Sequence, residues 1–141
     1  MRAGTEATAP LLLIADDAKD TREMYGLYLS MIGYRVETAC DGREAVIMAR
    51  KLRPDLIVLD LEMPTLDGWS AMRVLQRRPA TANIPVIILT GHDFKGYLKH
   101  SAVAEGAVSY LMKPCLPDQL GREIGFCLGD RRIQSVWLNG A

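Results

Sequence analysis

The amino-acid sequence predicts a doubly wound α/β sandwich, in which helices cover both faces of a parallel β-sheet. Two observations support this fold class. Short runs of continuous apolar residues, typical of strands buried on both faces, recur along the chain. Segments with apolar residues at helical spacing separate these runs, so strand and helix alternate five times. Such alternation indicates right-handed βαβ crossovers within a single sheet.

Five strands are predicted. The apolar runs that indicate buried strands are Leu11–Ala15, Leu56–Leu59, Val86–Leu89 and Ala107–Met112. Polar and apolar residues alternate over Tyr34–Ala39, which predicts a strand at the edge of the sheet.

The first two helices are predicted from apolar residues that we expect to face the core. In the first helix these residues are Met24, Leu27, Tyr28, Met31 and Ile32, and Gly33 then ends the helix. In the second they are Ala45, Ile47, Met48, Ala49 and Leu52, and the helix ends before Pro54.

The third helix is predicted over residues 68–77 and the fourth over residues 93–105. The fifth begins at Pro117, a favoured residue of the first helical turn, and its core-facing residues are Leu120, Ile124, Cys127 and Leu128. Residues 1–10 and 130–141 are predicted to be tails, which leaves one domain over residues 11–129.

Glycines recur every fourth residue in the fifth helix, at Gly121, Gly125 and Gly129, beside Phe126. Glycine inside a helix costs about 1 kcal/mol relative to alanine. Two interpretations stay open. The stripe is simply tolerated, or it forms a dimer or target surface together with Phe126.

Composition excludes several classes of protein. The 141 residues include 17 basic and 17 acidic side chains, so the net charge is zero, and 49% of the residues are apolar, which excludes disorder for most of the chain. Residues 1–70 hold 8 basic and 12 acidic side chains, a net −4, and residues 71–141 hold 9 and 5, a net +4. No sequence-wide basic excess points to nucleic acid.

Cys40, Cys115 and Cys127 lack the spacing of a thiolate metal site, and their odd number argues against a disulfide framework. The N-terminal segment lacks the apolar stretch of a signal peptide, and no apolar run approaches 18 residues. We therefore expect a cytoplasmic protein in a reducing compartment, with no membrane partner. His92 and His100 are expected to be exposed rather than to bind metal.

Polar side chains follow the central strands where each strand ends. Asp16 and Asp17 follow the first strand, Asp60 the third, Thr90 the fourth and Lys113 the fifth. Ligands of open parallel sheets bind beyond the carboxyl ends of the strands, so we expect these residues to meet at one edge.

Three clustered carboxylates repel one another by about 4 kcal/mol per pair at 4 Å and an effective dielectric of 20. This repulsion predicts a cation, and an all-oxygen site favours Mg²⁺, with Mn²⁺ as the other candidate. Lys113 and Thr90 add a cation and a hydroxyl for the oxygens of a phosphoryl group. A carboxylate can itself accept that group, and Asp60 on the middle strand is the candidate.

The ordered motifs resemble the receiver domain of two-component response regulators over residues 11–128. These motifs are Asp16-Asp17, Asp60-Leu61-Glu62-Met63-Pro64, Asp67-Gly68, Thr90 and Lys113-Pro114. The resemblance implies a flavodoxin-like sheet of strand order 2-1-3-4-5.

For the site, the resemblance implies that Asp60 accepts phosphate from a histidine kinase or phosphotransfer protein. Mg²⁺ would be held by Asp16, Asp17, Asp60 and the backbone carbonyl of Glu62. Thr90 and Lys113 would contact the phosphoryl oxygens, and Lys113-Pro114 would be a cis peptide. The chain would thus carry out phosphorylation and autodephosphorylation on itself only, and would not be an enzyme.

The resemblance also implies a switch. Thr90 would move toward the phosphoryl group and Tyr110 would turn inward. The face formed by the fourth helix, fifth strand and fifth helix would then change its preference for a downstream protein or a second copy of the chain.

The sequence departs from the family pattern at several positions. Gly91 stands where alanine is common, and Cys115 and Leu116 follow Pro114 where an aromatic residue is frequent. Glu62 and His92 occupy the two positions that tune the lifetime of the aspartyl phosphate in the family.

Two other functions are alternatives to a phosphorylated receiver. A haloacid-dehalogenase-like phosphatase uses Asp-x-Asp at its first strand, whereas Asp60-Leu61-Glu62 lies on a middle strand and lacks the second aspartate. A phosphate-independent scaffold is the other alternative. We expect a stand-alone receiver, since these 141 residues leave no room for an output domain.

Overall fold

The computed structural model describes residues 9–91 and 97–130, which contain five strands and five helices. The strands are β1 (Leu11–Ala15), β2 (Arg35–Ala39), β3 (Leu56–Leu59), β4 (Val86–Thr90) and β5 (Ser109–Met112). The helices are α1 (Lys19–Met31), α2 (Gly42–Leu52), α3 (Gly68–Arg77), α4 (Tyr97–Ala104) and α5 (Pro117–Leu128).

All neighbouring strands pair in parallel, in the order β2-β1-β3-β4-β5. This order confirms the doubly wound fold and the flavodoxin-like arrangement. It also confirms the edge position of β2, where exposed and partly buried residues alternate, whereas every residue of β3 and β4 is buried.

Successive strand residues point to opposite faces of the sheet, and each face has its own core. Leu13 and Ala15 of β1 belong to the core shared with α2, α3 and α4. Leu12 and Ile14 belong to the core shared with α1 and α5. The continuous apolar runs therefore arise because helices cover both faces.

The predicted core face of α1 is wrong for three residues. Met24, Leu27 and Met31 are 44%, 66% and 75% exposed, and the helix instead buries Tyr25 and Leu29. Two overlapping apolar stripes run along this helix, and each satisfies helical spacing.

Packing against α5 decides between these two stripes. A Cβ atom on Gly121 of α5 would lie 3.1 Å from Tyr28 of α1 and 3.2 Å from Ile32, the residue that follows this helix. The predicted core positions of Tyr28 and Ile32 are therefore confirmed, since both pack against the core. In α2, Ile47 is exposed although it was predicted to face the core, whereas Met48 packs against it.

Two of the three glycines in the stripe of α5 face the interior of the chain, whereas Gly129 is exposed. Gly121 and Gly125 are buried, and Gly121 receives the side chains of α1. Gly129 ends the helix in the left-handed conformation, at φ 67°. The hypothesis of a dimer surface built on this stripe is therefore wrong, although Phe126 is exposed.

The start of the predicted fourth helix, residues 93–96, lies outside the described residues, as do residues 1–8 and 131–141 of the predicted tails. Asp130 is held in place by the hydroxyl of Tyr34, which donates to its Oδ2 at 2.8 Å. Within residues 9–91 and 97–130, no helix has both the length and the apolar character needed to cross a membrane.

Candidate functional site

The carboxyl ends of the central strands collect the polar residues that the sequence singled out. Carboxylate oxygens of Asp16, Asp17 and Asp60 all lie within 4.8 Å of one another. Asp16 and Asp60 are buried, whereas Asp17 is exposed. The turns that follow β1 and β3 thus bring together residues 44 positions apart in the chain.

Lys113 connects the two buried carboxylates. Its Nζ lies 2.6 Å from Oδ2 of Asp16 and 3.3 Å from Oδ2 of Asp60. A buried charge is costly unless it is paired, and one ammonium group here serves two carboxylates. Two carboxylates and one ammonium group leave a net negative charge among Asp16, Asp60 and Lys113.

The local backbone orients each carboxylate. Oδ1 of Asp16 accepts the amide of Ala18 at 2.9 Å, and Oδ1 of Asp60 accepts the amide of Glu62 at 3.1 Å. These short loops are stabilised by an aspartate that caps the amide two residues later. Each buried carboxylate thus accepts a hydrogen bond from its own loop with one oxygen and contacts Lys113 with the other.

Arg22 supports this arrangement and was not singled out from the sequence. Its Nη1 donates to the backbone carbonyl of Asp16 at 2.9 Å. A contact between a side chain and a backbone carbonyl leaves no mark in a residue pattern, so no sequence signal could have identified it.

The electrostatics of the site favour an added cation. Burial raises the pKa of Asp60 above its ordinary value, against the opposing effects of the Glu62 amide and of Lys113. Burial alone would lower the pKa of Lys113, but its hydrogen bond to Asp16 and the charges of Asp60 and Asp16 raise it overall. Asp60 therefore carries a poorly compensated charge, while Lys113 stays protonated.

Thr90 contributes a hydroxyl that has no partner within the described part of the chain. Its Oγ1 is fully buried and makes no hydrogen bond, whereas its backbone oxygen accepts the Lys113 amide at 2.9 Å. An unsatisfied buried polar group costs about 1–3 kcal/mol. Such a group at a cluster of charges points to a ligand oxygen that satisfies it.

The start of α3 closes tightly over Asp60. A Cβ atom on Gly68 would lie 2.2 Å from the backbone oxygen of Asp60, so only glycine fits there. Asp67 caps the helix by accepting the Ser70 amide at 2.9 Å, which confirms the predicted turn and helix start. The close approach of Gly68 to Asp60 was not predicted, because it depends on how α3 packs.

The donor set fits Mg²⁺. Asp16, Asp17 and Asp60 offer only oxygen ligands, the preferred type for this ion, and each carboxylate has more lone pairs than its hydrogen bonds use. The ion would be held by these three side chains. The backbone carbonyl of Glu62 stays a prediction from the family resemblance.

Tyr110 lies three residues before Lys113. It lies on β5 opposite Ile88, packs against the core shared with α2 and α3, and has its hydroxyl 3.7 Å from Sδ of Met112. Lys113-Pro114 is a cis peptide bond, as the resemblance implied. His100 is exposed, and His92 lies outside the described residues.

Comparisons with known proteins agree on one family. The family model for the response regulator receiver domain matches residues 12–124. The DNA-binding dual master transcriptional regulator RpaA of Synechocystis is 39% identical over 107 residues, which is 74% of this chain and 43% of that protein. A probable transcriptional regulator, ycf27 of Galdieria sulphuraria, is 35% identical over 91% of this chain and 48% of its own length. The chain thus spans about half the length of the curated relatives that it matches.

Solved structures give the same result. The chemotaxis response regulator CheY4 of Vibrio cholerae superposes with a TM-score of 0.79 and 33% identity, covering 84% of this chain and 98% of that one. The receiver domain of the sensor histidine kinase PA1611 of Pseudomonas aeruginosa, solved with a magnesium ion coordinated in its active-site cleft, gives 0.78 and 29%, with 87% and 100% coverage.

Proposed function

The chain belongs to the receiver domains of two-component response regulators, and from this premise we propose that it is a switch controlled by phosphorylation of Asp60. The observation that carries the proposal is the buried Asp60 carboxylate, which lies beside Lys113 in a cluster of three aspartates. Receiver domains interact with histidine kinases and downstream effectors, and we propose a histidine kinase or phosphotransfer protein as the donor.

The proposed reaction moves a phosphoryl group from a histidine of the donor to Asp60. One carboxylate oxygen attacks phosphorus, an O–P bond forms, and the P–N bond breaks with its electron pair left on the imidazole nitrogen. Lys113 supplies a positive charge for a phosphoryl oxygen, and the hydroxyl of Thr90, which has no partner among the described residues, supplies a hydrogen bond for another.

Asp16, Asp17 and Asp60 would hold Mg²⁺, together with the carbonyl of Glu62. When bound, the ion would neutralise negative charge on the carboxylates and on the phosphoryl oxygens. The repulsion among the aspartates, which burial of Asp16 and Asp60 increases, supports this assignment.

Phosphorylation adds about −1.5 to −2 charge at the site. We propose that the Thr90 hydroxyl turns toward this charge and that Tyr110 moves with it, changing the surface of α4, β5 and α5. Moving a switch from mostly off to mostly on requires about 5.5 kcal/mol of differential interaction, which several charge-assisted contacts can supply.

Exposed apolar residues support the output role of this surface. Val103 of α4, Val108 before β5, and Met112 of β5 are all exposed. Exposed apolar side chains on these elements fit contact with a downstream protein or a second copy of the chain. We also propose a cytoplasmic location, because a histidine kinase takes its phosphoryl group from ATP.

The test is chemical labelling. With Mg²⁺ and acetyl phosphate, we expect intact mass to rise by one phosphoryl group, and Asp60→Asn to abolish the rise. Asp41→Asn is the matched control, since Asp41 also accepts a backbone amide, that of Glu44 at 2.8 Å, but lies outside the cluster.

Other outcomes would point to other functions. Labelling that persists in Asp60→Asn would contradict the proposal. A wild-type chain that never labels would indicate a phosphate-independent scaffold. Sustained hydrolysis of a small phosphomonoester would indicate a phosphatase, whereas we propose that the chain acts only on its own aspartate.

A further inference from the structure

A buried tyrosine on α1 holds the loop that carries Lys113. The hydroxyl of Tyr25 donates a hydrogen bond of 2.6 Å to the backbone carbonyl of Cys115, two residues after Lys113. Tyr25 is 2% exposed and Cys115 is also buried. The contact joins residues 90 positions apart in the chain.

Among residues 9–91 and 97–130, the backbone of this loop has few other hydrogen-bond partners. The amide of Lys113 donates to the backbone oxygen of Thr90, and the amide of Leu116 donates to the side chain of Gln119 at 2.9 Å. Pro114 has no amide to contribute. The bond from Tyr25 therefore ties this loop to α1, the helix that begins three residues after Asp16.

The hydroxyl of Tyr25 is buried and protonated, which stabilises its hydrogen bond to the Cys115 carbonyl. Burial raises the pKa of Tyr25 to about 12, so the hydroxyl keeps its proton and acts as a donor throughout the neutral range. A buried hydroxyl that loses its partner is costly, so the ring and the loop carbonyl are held together. The side chains of Cys115 and Tyr25 belong to the same core, and Tyr25 reaches this core from α1. Cys115 is small, whereas the family often has an aromatic residue at this position.

We propose that Tyr25 is a positioning residue for Lys113: it fixes the Cys115 carbonyl and thereby holds the Lys113 ammonium group at Asp16 and Asp60. The inference rests on the proposed function for its effect on phosphorylation. Its effect on Lys113 itself does not depend on that function.

The experiment compares Tyr25→Phe with Tyr34→Phe. Both substitutions remove a hydroxyl from the same core, but the hydroxyl of Tyr34 bonds Asp130 at the far end of α5. Two quantities are measured: the rate at which acetic anhydride acetylates Lys113, followed by peptide mass spectrometry, and the rate of labelling by acetyl phosphate with Mg²⁺. Circular dichroism and the urea midpoint verify folding.

In Tyr25→Phe we expect acetylation of Lys113 to rise about fivefold, the factor for one ordinary hydrogen bond. Labelling of Asp60 should fall about tenfold, within the range for a catalytic group that is slightly misplaced. Tyr34→Phe should match the wild type in both rates. Should Tyr25→Phe not fold, Tyr25→Met takes its place.

Equal Lys113 acetylation in Tyr25→Phe, Tyr34→Phe and wild type would overturn the inference, because packing of α1 on α5 would then position the loop unaided. A wild-type chain that does not label would instead contradict the proposed function. The acetylation result would still decide the role of Tyr25.

Discussion

At the scale of single residues, the site contains buried polar groups that lower the stability of the fold. Asp60 is buried beside Asp16 and shares one ammonium group with it, and Thr90 hides a hydroxyl without a partner in the described chain. Functional sites commonly retain such unfavourable groups because the reaction needs them. The cost can be measured by removing the charge of Asp60.

We expect Asp60→Asn to raise the free energy of unfolding by about 0.5–2 kcal/mol at neutral pH without metal. Because burial raises the pKa of Asp60, the folded chain binds this proton more tightly than the unfolded chain does. The stabilisation from that proton is complete below the ordinary pKa and is lost as pH rises through the raised pKa. The gain from Asp60→Asn should therefore disappear in acid.

Urea unfolding at several pH values, with a chelator present, measures this effect. Asp41→Asn serves as the control and should change stability by less than about 0.5 kcal/mol, since asparagine also caps helices well. A gain of equal size at all pH values would show that the charge of Asp60 is not its cause.

Two glycines near the site should respond oppositely to alanine. At Gly68 the added Cβ would lie 2.2 Å from the backbone oxygen of Asp60. Gly68→Ala should therefore lower the free energy of unfolding by about 1–3 kcal/mol and slow the labelling of Asp60 by acetyl phosphate. At Gly91 it would lie 3.7 Å from Cβ of Lys113, an ordinary contact. Gly91→Ala should therefore fold normally. Its free energy of unfolding should rise by about 0.4–1 kcal/mol, because alanine lowers the conformational entropy of the unfolded chain.

Thermal unfolding and acetyl phosphate labelling of both variants test this pair. Equal stability of Gly68→Ala and wild type would mean that α3 does not approach Asp60 as closely as described.

At the scale of elements, α1 illustrates what a pattern leaves open. Its apolar residues form two stripes, and the stripe with Tyr25 and Leu29 is buried while the stripe with Leu27 and Met31 is exposed. The helical period predicted the helix itself. The burial of one stripe depends on α5, where Gly121 leaves room for Tyr28 and Ile32.

The orientation of α1 predicts unequal effects of two neighbouring truncations. Leu29→Ala should lower the free energy of unfolding by about 2–5 kcal/mol, because it opens a cavity in the core. Leu27→Ala should change stability by less than about 0.5 kcal/mol, since its side chain is 66% exposed. Chemical denaturation of both variants measures the difference, and similar losses would mean that α1 is rotated relative to this description.

At the scale of the whole molecule, the neutral net charge conceals an ordered distribution. The acidic first half contains the three carboxylates of the site, and the basic second half contributes Lys113, 97 residues from Asp16. The fold brings these halves together at one edge of the sheet. The proposed output surface of α4, β5 and α5 includes the edge strand β5, and Lys113 directly follows this strand.

We expect phosphorylation to promote self-association through this output surface. Sedimentation with acetyl phosphate and Mg²⁺ should show an apparent mass about twofold above that of the untreated chain, as for a symmetric dimer. Val108→Glu, at an exposed position, should prevent association without changing Asp60 labelling.

Ile47→Glu is the control for that experiment, because Ile47 is similarly exposed but lies on α2. A phosphorylated chain that stays monomeric would assign the output surface to a different protein. Association that survives Val108→Glu would place the dimer contact elsewhere.

The sequence by itself determined the five strands, nearly all helix positions and the polar residues at the strand ends, because these features follow from local periodicity and from the direction of parallel strands. The direction of the parallel strands is enough to place Asp16, Asp17, Asp60, Thr90 and Lys113 at one edge of the sheet. The tertiary structure alone decided which stripe of α1 is buried, that Gly121 of α5 contacts α1, and that Tyr25 bonds the backbone two residues after Lys113. Each of these depends on packing between segments far apart in the chain, where several arrangements satisfy the same local pattern and only close packing selects one.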